Sequence, residues 1–220
     1  MASSDEQIKK MAVDQLYWDS RIDASNVKVE VKDGVVTLTG TVPDYTALRA
    51  AVDDTWVITG VFSVDNRLGV EYPSEVTVPP DAEIESNVKD MLRWNPVIDE
   101  SKITAISTNG NIKLEGSVDS FWKKFKAEEI AYSVMGAINV TNELAVVPTE
   151  DVVDEVIGED LMAALDRNFY VDVNAIDVKV KDGKVTLSGR VESALSYRAA
   201  VDTARNTFGV KDVINNLILA

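Results

Sequence analysis

The sequence predicts an α+β protein built from three tandem α-β-β-α-β modules, each a three-stranded mixed sheet with two helices on one face. Three observations lead to this prediction: one unit occurs three times, each copy has a glycine turn between alternating apolar residues, and each copy has two segments with helical apolar spacing. The copies register without an internal gap at offsets of 76 and 73 residues. We therefore predict three domains, over residues 5–72, 81–148 and 154–220.

The first predicted element of each copy is an amphipathic helix that follows an aspartate. Apolar residues recur there at i, i+4 and i+8, which is one stripe of a helix: Ile8, Ala12 and Leu16; Ile84, Val88 and Leu92; Ile157, Leu161 and Leu165. Asp5, Asp81 and Asp154 are placed to cap the helix or complement its N-terminal charge. At the end of this helix, Trp18, Trp94 and Arg167 are equivalent, so we expect a half-exposed position.

A β-hairpin follows in each copy. In the first, Val27, Val29 and Val31 alternate before the turn Asp33-Gly34, and alternation resumes after it. Asp-Gly or Asn-Gly between alternating residues is a strong hairpin signal, and the three turns contain Gly34, Gly110 and Gly183. In the second strand we expect Gly40, Gly116 and Gly189 to let a helix approach closely. Before the first strand, Asp23, Asp99 and Asp172 are predicted to be turn residues.

The last two elements of each copy are a helix and a strand. We predict the helices over residues 45–59, 121–135 and 195–208, each ending near a left-handed glycine: Gly60, Gly136 and Gly209. The final strand should pair in parallel with the hairpin's second strand. Its recurring asparagine, in phase with core residues, should be buried and hydrogen-bonded, with a structural role or, alternatively, a ligand-binding one: Asn66, Asn142 and Asn215.

The composition excludes several classes of function. The chain has no histidine and no cysteine, which removes the commonest general base, the commonest zinc ligands and thiol nucleophiles. Ten of the thirteen positions that are identical in all three copies are glycine or aliphatic residues. We therefore expect no enzyme activity, no cofactor, no metal site and no small-molecule substrate.

Charge restricts the partners further. The formal net charge is −15 and all three copies are acidic, which argues against nucleic-acid binding and against an anionic bilayer.

The N-terminal residues show no apolar stretch of signal-peptide length. The sequence as given is therefore predicted to be cytoplasmic, and periplasmic if an export signal was removed.

The chain resembles the BON family, a bacterial domain named for osmotically induced and nodulation proteins. The resemblance lies in spaced motifs such as Asp33-Gly34-Val35-Val36-Thr37-Leu38-Thr39-Gly40 and, in the third copy, Val213-Ile214-Asn215-Asn216-Leu217. It covers nearly the whole chain. It implies a non-enzymatic role in stress tolerance, with binding to proteins or phospholipid surfaces, and it brings no catalytic residues.

A cluster of aromatic and basic residues in the middle copy is the candidate partner-binding site. It comprises Phe121, Trp122, Lys123, Lys124, Phe125 and Tyr132, at and near the start of the second helix. On a helical wheel its aromatic rings point away from the sheet, so we expect them to be exposed. Three occupants remain open: a neighbouring repeat or protomer, a separate protein, or a lipid surface.

These patterns together predict a non-catalytic, stress-associated adaptor that acts through protein contacts or self-association. The alternative is a peripheral phospholipid-binding protein of the osmotic or envelope stress response.

Overall fold

A computed structural model describes residues 4–219 and confirms the α+β class. The first module consists of α1 (Asp5–Trp18), β1 (Val27–Lys32), β2 (Val35–Val42), α2 (Tyr45–Trp56) and β3 (Ser63–Val70). The second consists of α3 (Asp81–Trp94), β4 (Ile103–Thr108), β5 (Asn111–Val118), α4 (Phe121–Tyr132), β6 (Asn139–Asn142) and β7 (Ala145–Val146). The third consists of α5 (Asp154–Asp166), β8 (Ile176–Lys181), β9 (Lys184–Val191), α6 (Ala194–Asn206) and β10 (Asp212–Leu219).

The described chain divides into two compact units. The first runs to Met91 and adds Ile106–Lys113 and Ile130–Thr141, and the second takes Leu92–Ala105, Leu114–Glu129 and the chain from Asn142 onward. Residues of the middle repeat therefore belong to both units. The division into three independent domains stays a prediction, and the last residue of its third range, Ala220, lies outside the described part of the chain.

Each sheet has the predicted mixed topology. In the first module β2 is central, antiparallel to β1 and parallel to β3, with Leu38 opposite both Val29 and Asn66. The third module has the same arrangement, with β9 between β8 and β10. In the middle sheet the order is β4-β5-β6, and β7 also pairs with β5, so the predicted last strand is split in two.

The cores contain the apolar residues that the periodicity predicts. In the first module both helices and the central strand contribute to one buried cluster, which includes Ile8, Ala12, Leu16, Val36, Leu38, Ala47 and Ala51. The third module's cluster has the equivalent members Ile157, Leu161, Leu165, Val185, Leu187 and Ala200. Both helices therefore cover the same face of the central strand. Each fully buried leucine or isoleucine contributes about 1.5–3 kcal/mol to stability.

The recurring aspartates at the helix starts bind the hairpin turns. Asp5 is the first residue of α1, and the cap is formed by Ser4, whose hydroxyl accepts the N–H of Gln7. The Asp5 carboxylate instead accepts the N–H groups of Asp33 and Gly34 at 2.9 and 3.0 Å. The other two copies repeat these bonds, from Asn109 and Gly110 to Asp81 and from Asp182 and Gly183 to Asp154. One carboxylate thus ties each first helix to its hairpin.

The hairpin turns have the backbone that their residues predict. Asp33 and Gly34 both have positive φ, 52° and 74°, and the equivalent pairs in the other copies do as well. Two successive left-handed residues match the type I′ turn that twists with the strands. The predicted hairpins are confirmed.

The glycines of the second strands are required for a different reason from the predicted one. Gly40, Gly116 and Gly189 have φ between 112° and 134°. A Cβ atom at Gly40 would overlap the carbonyl oxygen of Asn26, at the end of a short 3-10 turn, and the other two would meet equivalent carbonyls. The predicted close neighbour, a helix, was therefore wrong, because the backbone before the first strand fills that space.

The second helices end earlier than predicted. They stop at Trp56, Tyr132 and Asn206, and Gly60, Gly136 and Gly209 lie three or four residues further on. The positive φ predicted for these glycines is confirmed, at 96°, 97° and 85°. They belong to the turn that enters the last strand.

The recurring asparagines are less buried than predicted. Asn66 is exposed, and Asn142 and Asn215 are half-buried. Each side-chain oxygen accepts a backbone N–H two residues on, from Leu68, Leu144 and Leu217, at 3.0–3.2 Å. The prediction of burial was wrong. Each amide oxygen bonds the asparagine's own strand, and the Nδ2 atom of Asn142 also donates to the carbonyl of Lys124 in α4.

Candidate functional site

Phe121 and Phe125, two residues of the predicted site, pack against the third module. Phe121 is only 7% exposed and belongs to the same buried cluster as Ile157 and Leu187, and Phe125 is half-buried against that cluster. The two rings meet edge to face with centroids 5.0 Å apart, and the Arg205 guanidinium lies 4.4 Å from the Phe125 centroid. The predicted exposure of Phe121 was wrong, because a helix wheel of one module does not include the neighbouring module.

The remaining residues of that site are spread over different surroundings. Trp122 is 36% exposed. The ammonium group of Lys123 lies 5.9 Å from the centroid of the Trp122 ring and bonds Asp119 at 2.7 Å. The carbonyl of Lys124 accepts a hydrogen bond from the Asn142 amide. The arrangement leaves Trp122 as the exposed aromatic ring of this segment.

Tyr132, the last residue of the predicted site, contacts the first module. Its ring stacks on Tyr45 with centroids 3.5 Å apart and planes 6° from parallel. Nearby, the Tyr72 hydroxyl accepts the N–H of Gly136 and donates to the carbonyl of Ala137. Burial raises the pKa of the Tyr72 phenol, so it is a neutral donor at physiological pH. These rings serve contacts between the first two modules.

The most exposed aromatic rings lie where the first helix of each module ends. Trp18 is 80% exposed, Trp94 is 74% exposed and Phe169 is 95% exposed. Trp18 meets Tyr17 edge to face at 5.3 Å, and Phe169 meets Tyr170 in the same way at 5.8 Å. We call Trp18, Trp94 and Phe169 the tip aromatics. The half-exposed position predicted for the tryptophans was an underestimate.

One local turn presents these rings in all three modules. The residue after Trp18, Asp19, accepts the backbone N–H of Arg21 through its side chain at 2.8 Å. Asn95 and Asn168 make the same bond, to the N–H groups two residues further on, at 3.2 and 3.1 Å. Such a side-chain turn reverses the chain at the helix end, so the adjoining aromatic ring projects beyond the helix.

The tip aromatics do not all occupy one position of the repeat. Trp18 and Trp94 share one column, but Phe169 lies two positions later than the column's third member, Arg167. The useful signal is the recurring Asp or Asn after the helix, with an aromatic residue on one side of it or the other. That signal identifies the turn after the first helix, although the aromatic residue does not always occupy the same position of the repeat.

Beside the first tip, an acidic pair with one arginine is partly buried. The bonds from Arg21 hold the pKa of Asp19 well below its usual range. Burial raises the pKa of Asp54, and the neighbouring negative charge of Asp19 raises it further. Asp54 is 9% exposed, and Arg21 stands 3.7 Å from its Oδ1 atom. Its Oδ2 atom is buried and has no hydrogen-bond partner among residues 4–219. The other modules have Ile130 and Thr203 at the position of Asp54.

Comparison with known proteins agrees with the repeat architecture. The family model of the BON domain matches residues 4–72, 80–148 and 153–220. The chain belongs to the BON family. Its three BON modules carry the tip aromatics, one at or just beyond the end of each first helix.

Two relatives have names that describe where or when they occur. Osmotically-inducible protein Y of Escherichia coli is 30% identical over 126 residues, which cover 56% of this chain and 63% of that protein. Outer membrane lipoprotein DolP of Haemophilus influenzae is 32% identical over 149 residues, which cover 66% of this chain and 70% of DolP. The chain thus spans a little under two thirds of the first relative's length.

Between residues 4 and 219, none of the helices is both long and apolar enough to cross a membrane. Over the same residues, no group of three or more acidic side chains is close enough together to hold a metal ion.

Proposed function

We propose that this BON protein is a non-catalytic, stress-associated adaptor that binds protein partners through its tip aromatics. The observation that carries the proposal is the exposure of Trp18, Trp94 and Phe169, each 74% or more, at the same place in three modules. Tryptophan and other aromatic residues dominate the energetics of protein interfaces, because they bury a large apolar area at a small cost in side-chain entropy.

Three similar sites on one chain favour multivalent binding. Linked modules convert the second and third binding events into intramolecular ones, so weak individual contacts add up to a strong one. The tips are not identical, since Trp94 has no aromatic neighbour in sequence while Trp18 and Phe169 each adjoin a tyrosine. The proposed adaptor therefore offers three related but distinct contact points.

A non-catalytic role agrees with the residues that the modules share. The chain lacks histidine and cysteine, and the aspartates at the start of each first helix have structural bonds to hairpin turns. A link to stress is supported by the name of the osmotically inducible relative. The name of the second relative supports a place in the cell envelope, and fractionation of cells before and after osmotic shock tests this location.

Peripheral phospholipid binding is the second candidate function. Exposed aromatic rings insert at the boundary between lipid headgroups and acyl chains, and one relative is named an outer membrane lipoprotein. The net charge of −15 opposes adsorption to anionic headgroups, which is why we favour a protein partner.

The test is a comparison of the full chain with a variant in which Trp18, Trp94 and Phe169 are alanine. Chemical cross-linking in stressed cells, followed by affinity purification, should recover partners with the wild type that the variant loses. Trp122→Ala is the matched control, since it removes an exposed ring outside the tips and should leave the partner set unchanged. Equal partner sets for wild type and the triple variant would refute the proposal.

Flotation with lipid vesicles separates the two candidates. Adaptor function predicts that neither zwitterionic nor anionic vesicles carry the wild type upward. Flotation of the wild type but not of the triple variant would assign the tips to lipid.

A further inference from the structure

A groove in the first module adjoins the Tyr17 ring. It lies between α1, the 3-10 turn Ala24–Asn26 and the edge strand β1, and has a volume of about 350 Å³. That volume suits one or two amino-acid side chains and lies at the small end of ligand pockets. Its apolar lining consists of Val13, Leu16, Tyr17, Ile22, Ala24, Val27 and Val29.

The groove is open to solvent along its helical side. Val13 is 47% exposed and Tyr17 is 72% exposed, whereas Leu16 and Val29 form a buried floor. A partner that covered the two exposed side chains would bury further apolar area at little cost, because the floor is already formed.

The polar rim of the groove carries a fixed negative charge. Asp23 lines the groove, and its Oδ1 atom accepts the backbone N–H of Ser25 at 3.0 Å and the Ser25 hydroxyl at 2.6 Å. These bonds hold the pKa of Asp23 below its usual value, so the side chain is ionised at neutral pH. Within residues 4–219, the two groups that hydrogen-bond the Asp23 carboxylate are the backbone N–H and the hydroxyl of Ser25. Both groups are neutral, so the negative charge of Asp23 is available to a ligand.

The equivalent place in the second module is occupied by its own ion pairs. Arg93 stands where the first module has Tyr17, and its Nε atom lies 3.1 Å from Glu100, the counterpart of Ala24. Lys102 lies 3.3 Å from Asp99, the counterpart of Asp23. The second module thus supplies a cation to the equivalent aspartate and replaces the aromatic wall with charge.

The third module also departs from the first. It has Asp166 at the position of Tyr17, so a carboxylate replaces the aromatic ring there. Among the three modules, the combination of aromatic wall and uncompensated aspartate is a property of the first.

We propose that this groove binds a segment of a partner protein in which an apolar side chain lies next to a lysine or arginine. The apolar side chain fills the groove against Tyr17 and Val13, and the cation pairs with Asp23 as Lys102 pairs with Asp99 in the second module. The net charge of −15 attracts basic segments and repels acidic ones. The inference rests on the proposed adaptor function and specifies the chemistry of one partner.

The test uses the full-length chain and a dye-labelled, end-blocked peptide of sequence Arg-Leu-Arg-Leu-Arg, followed by fluorescence anisotropy. Binding should saturate, weaken as salt rises, and be absent with Glu-Leu-Glu-Leu-Glu. The double variant Tyr17→Arg with Ala24→Glu copies the second module's ion pair and should weaken binding about tenfold. Asp23→Asn should weaken it about threefold and flatten its salt dependence.

Asp14→Asn is the control for diffuse attraction, because Asp14 is an exposed acid of the same helix outside the groove lining. It should leave the affinity nearly unchanged. Equal losses for Asp14→Asn and Asp23→Asn, or unchanged binding by the double variant, would overturn the proposal, as would binding of phosphatidylcholine vesicles in place of the peptide. Near-ultraviolet circular dichroism checks that the variants fold.

The outcome is separable from that of the adaptor proposal. Tyr17, Ala24 and Asp23 are unchanged in the tip variant, so a tip variant that loses its partners while the double variant keeps its peptide affinity would reject the groove alone. Identical partner sets for wild type and tip variant would reject the adaptor function.

Discussion

Replacing Asp54 with asparagine should stabilise the first module at neutral pH. Asp54 is 9% exposed, and in the described part of the chain its buried Oδ2 atom has no hydrogen-bond partner. The asparagine amide keeps a polar group at this position but removes its negative charge, which burial and the nearby Asp19 carboxylate disfavour. The compensating ion pair is weak, because Arg21 is 3.7 Å away and largely exposed, and pairs of that kind contribute about 0–1 kcal/mol. We expect Asp54→Asn to raise the free energy of unfolding by about 1 kcal/mol.

The gain should depend on pH in a defined direction. Burial and the neighbouring Asp19 raise the pKa of Asp54 above its unfolded value of 3.8. Folding therefore favours the protonated carboxyl, and the ionised Asp54 lowers the stability of the folded state at neutral pH. This loss of stability diminishes as pH falls through the folded pKa, and it is gone below the unfolded pKa of 3.8. The stability difference between variant and wild type should shrink between pH 7 and pH 4.

Guanidinium denaturation, followed by tryptophan fluorescence, measures both effects. Asp53→Asn is the matched control, since its side chain is 42% exposed and its removal should change stability by less than about 0.5 kcal/mol. A destabilised Asp54→Asn variant at pH 7, or a stability difference that does not change with pH, would refute the reasoning.

Three further variants test the contacts that hold the modules. Asp154→Ala removes the acceptor of two hairpin N–H groups and should cost about 1–3 kcal/mol in thermal unfolding. Gly189→Ala should cost about 2–4 kcal/mol, because φ there is 134° and the added Cβ overlaps a backbone carbonyl. Its control is Gly158→Ala, within helix α5, where the added Cβ would lie an ordinary 3.7 Å from the Val180 side chain. This substitution should stabilise the protein by about 0.5–1 kcal/mol. Tyr72→Phe leaves a backbone N–H without its acceptor and should cost about 1–2 kcal/mol, measured by urea denaturation.

For each of these three predictions, one result would contradict the structural reason given. An Asp154→Ala protein with unchanged melting temperature would show that the turn holds its shape without the carboxylate. Equal effects of the two glycine substitutions would reject the carbonyl overlap. For Tyr72, the comparison is with the half-exposed Tyr170: a phenylalanine there should be neutral, and equal losses at both positions would contradict the buried hydrogen bonds.

The features that the sequence predicted well are those that depend on neighbours in the chain. The Asp33-Gly34 turn, the helix stripe through Ile8 and the alternation in β2 each involve residues within a few positions of one another. The BON motifs are made of such local patterns, so family and fold class could be derived from them.

The candidate site was predicted less well, for a physical reason. Whether an aromatic residue is exposed depends on what packs over it. Phe121 is covered by residues of the third module, more than thirty positions away in the chain, and Tyr132 by Tyr45 of the first. By contrast, Phe169 has no helical or strand periodicity to mark it, yet it is the most exposed aromatic ring of the described chain.

By itself, the sequence determined that three acidic BON modules follow one another, each with a hairpin, two helices and a final parallel strand, because short-range periodicity and turn chemistry specify these elements. Only the tertiary structure decided which aromatic residues join modules and which face solvent. It also showed that Asp5 and its counterparts bind hairpin turns, through hydrogen bonds spanning 28 and 29 residues. Burial and long-range hydrogen bonds are set by the packing of distant segments, which no local pattern records.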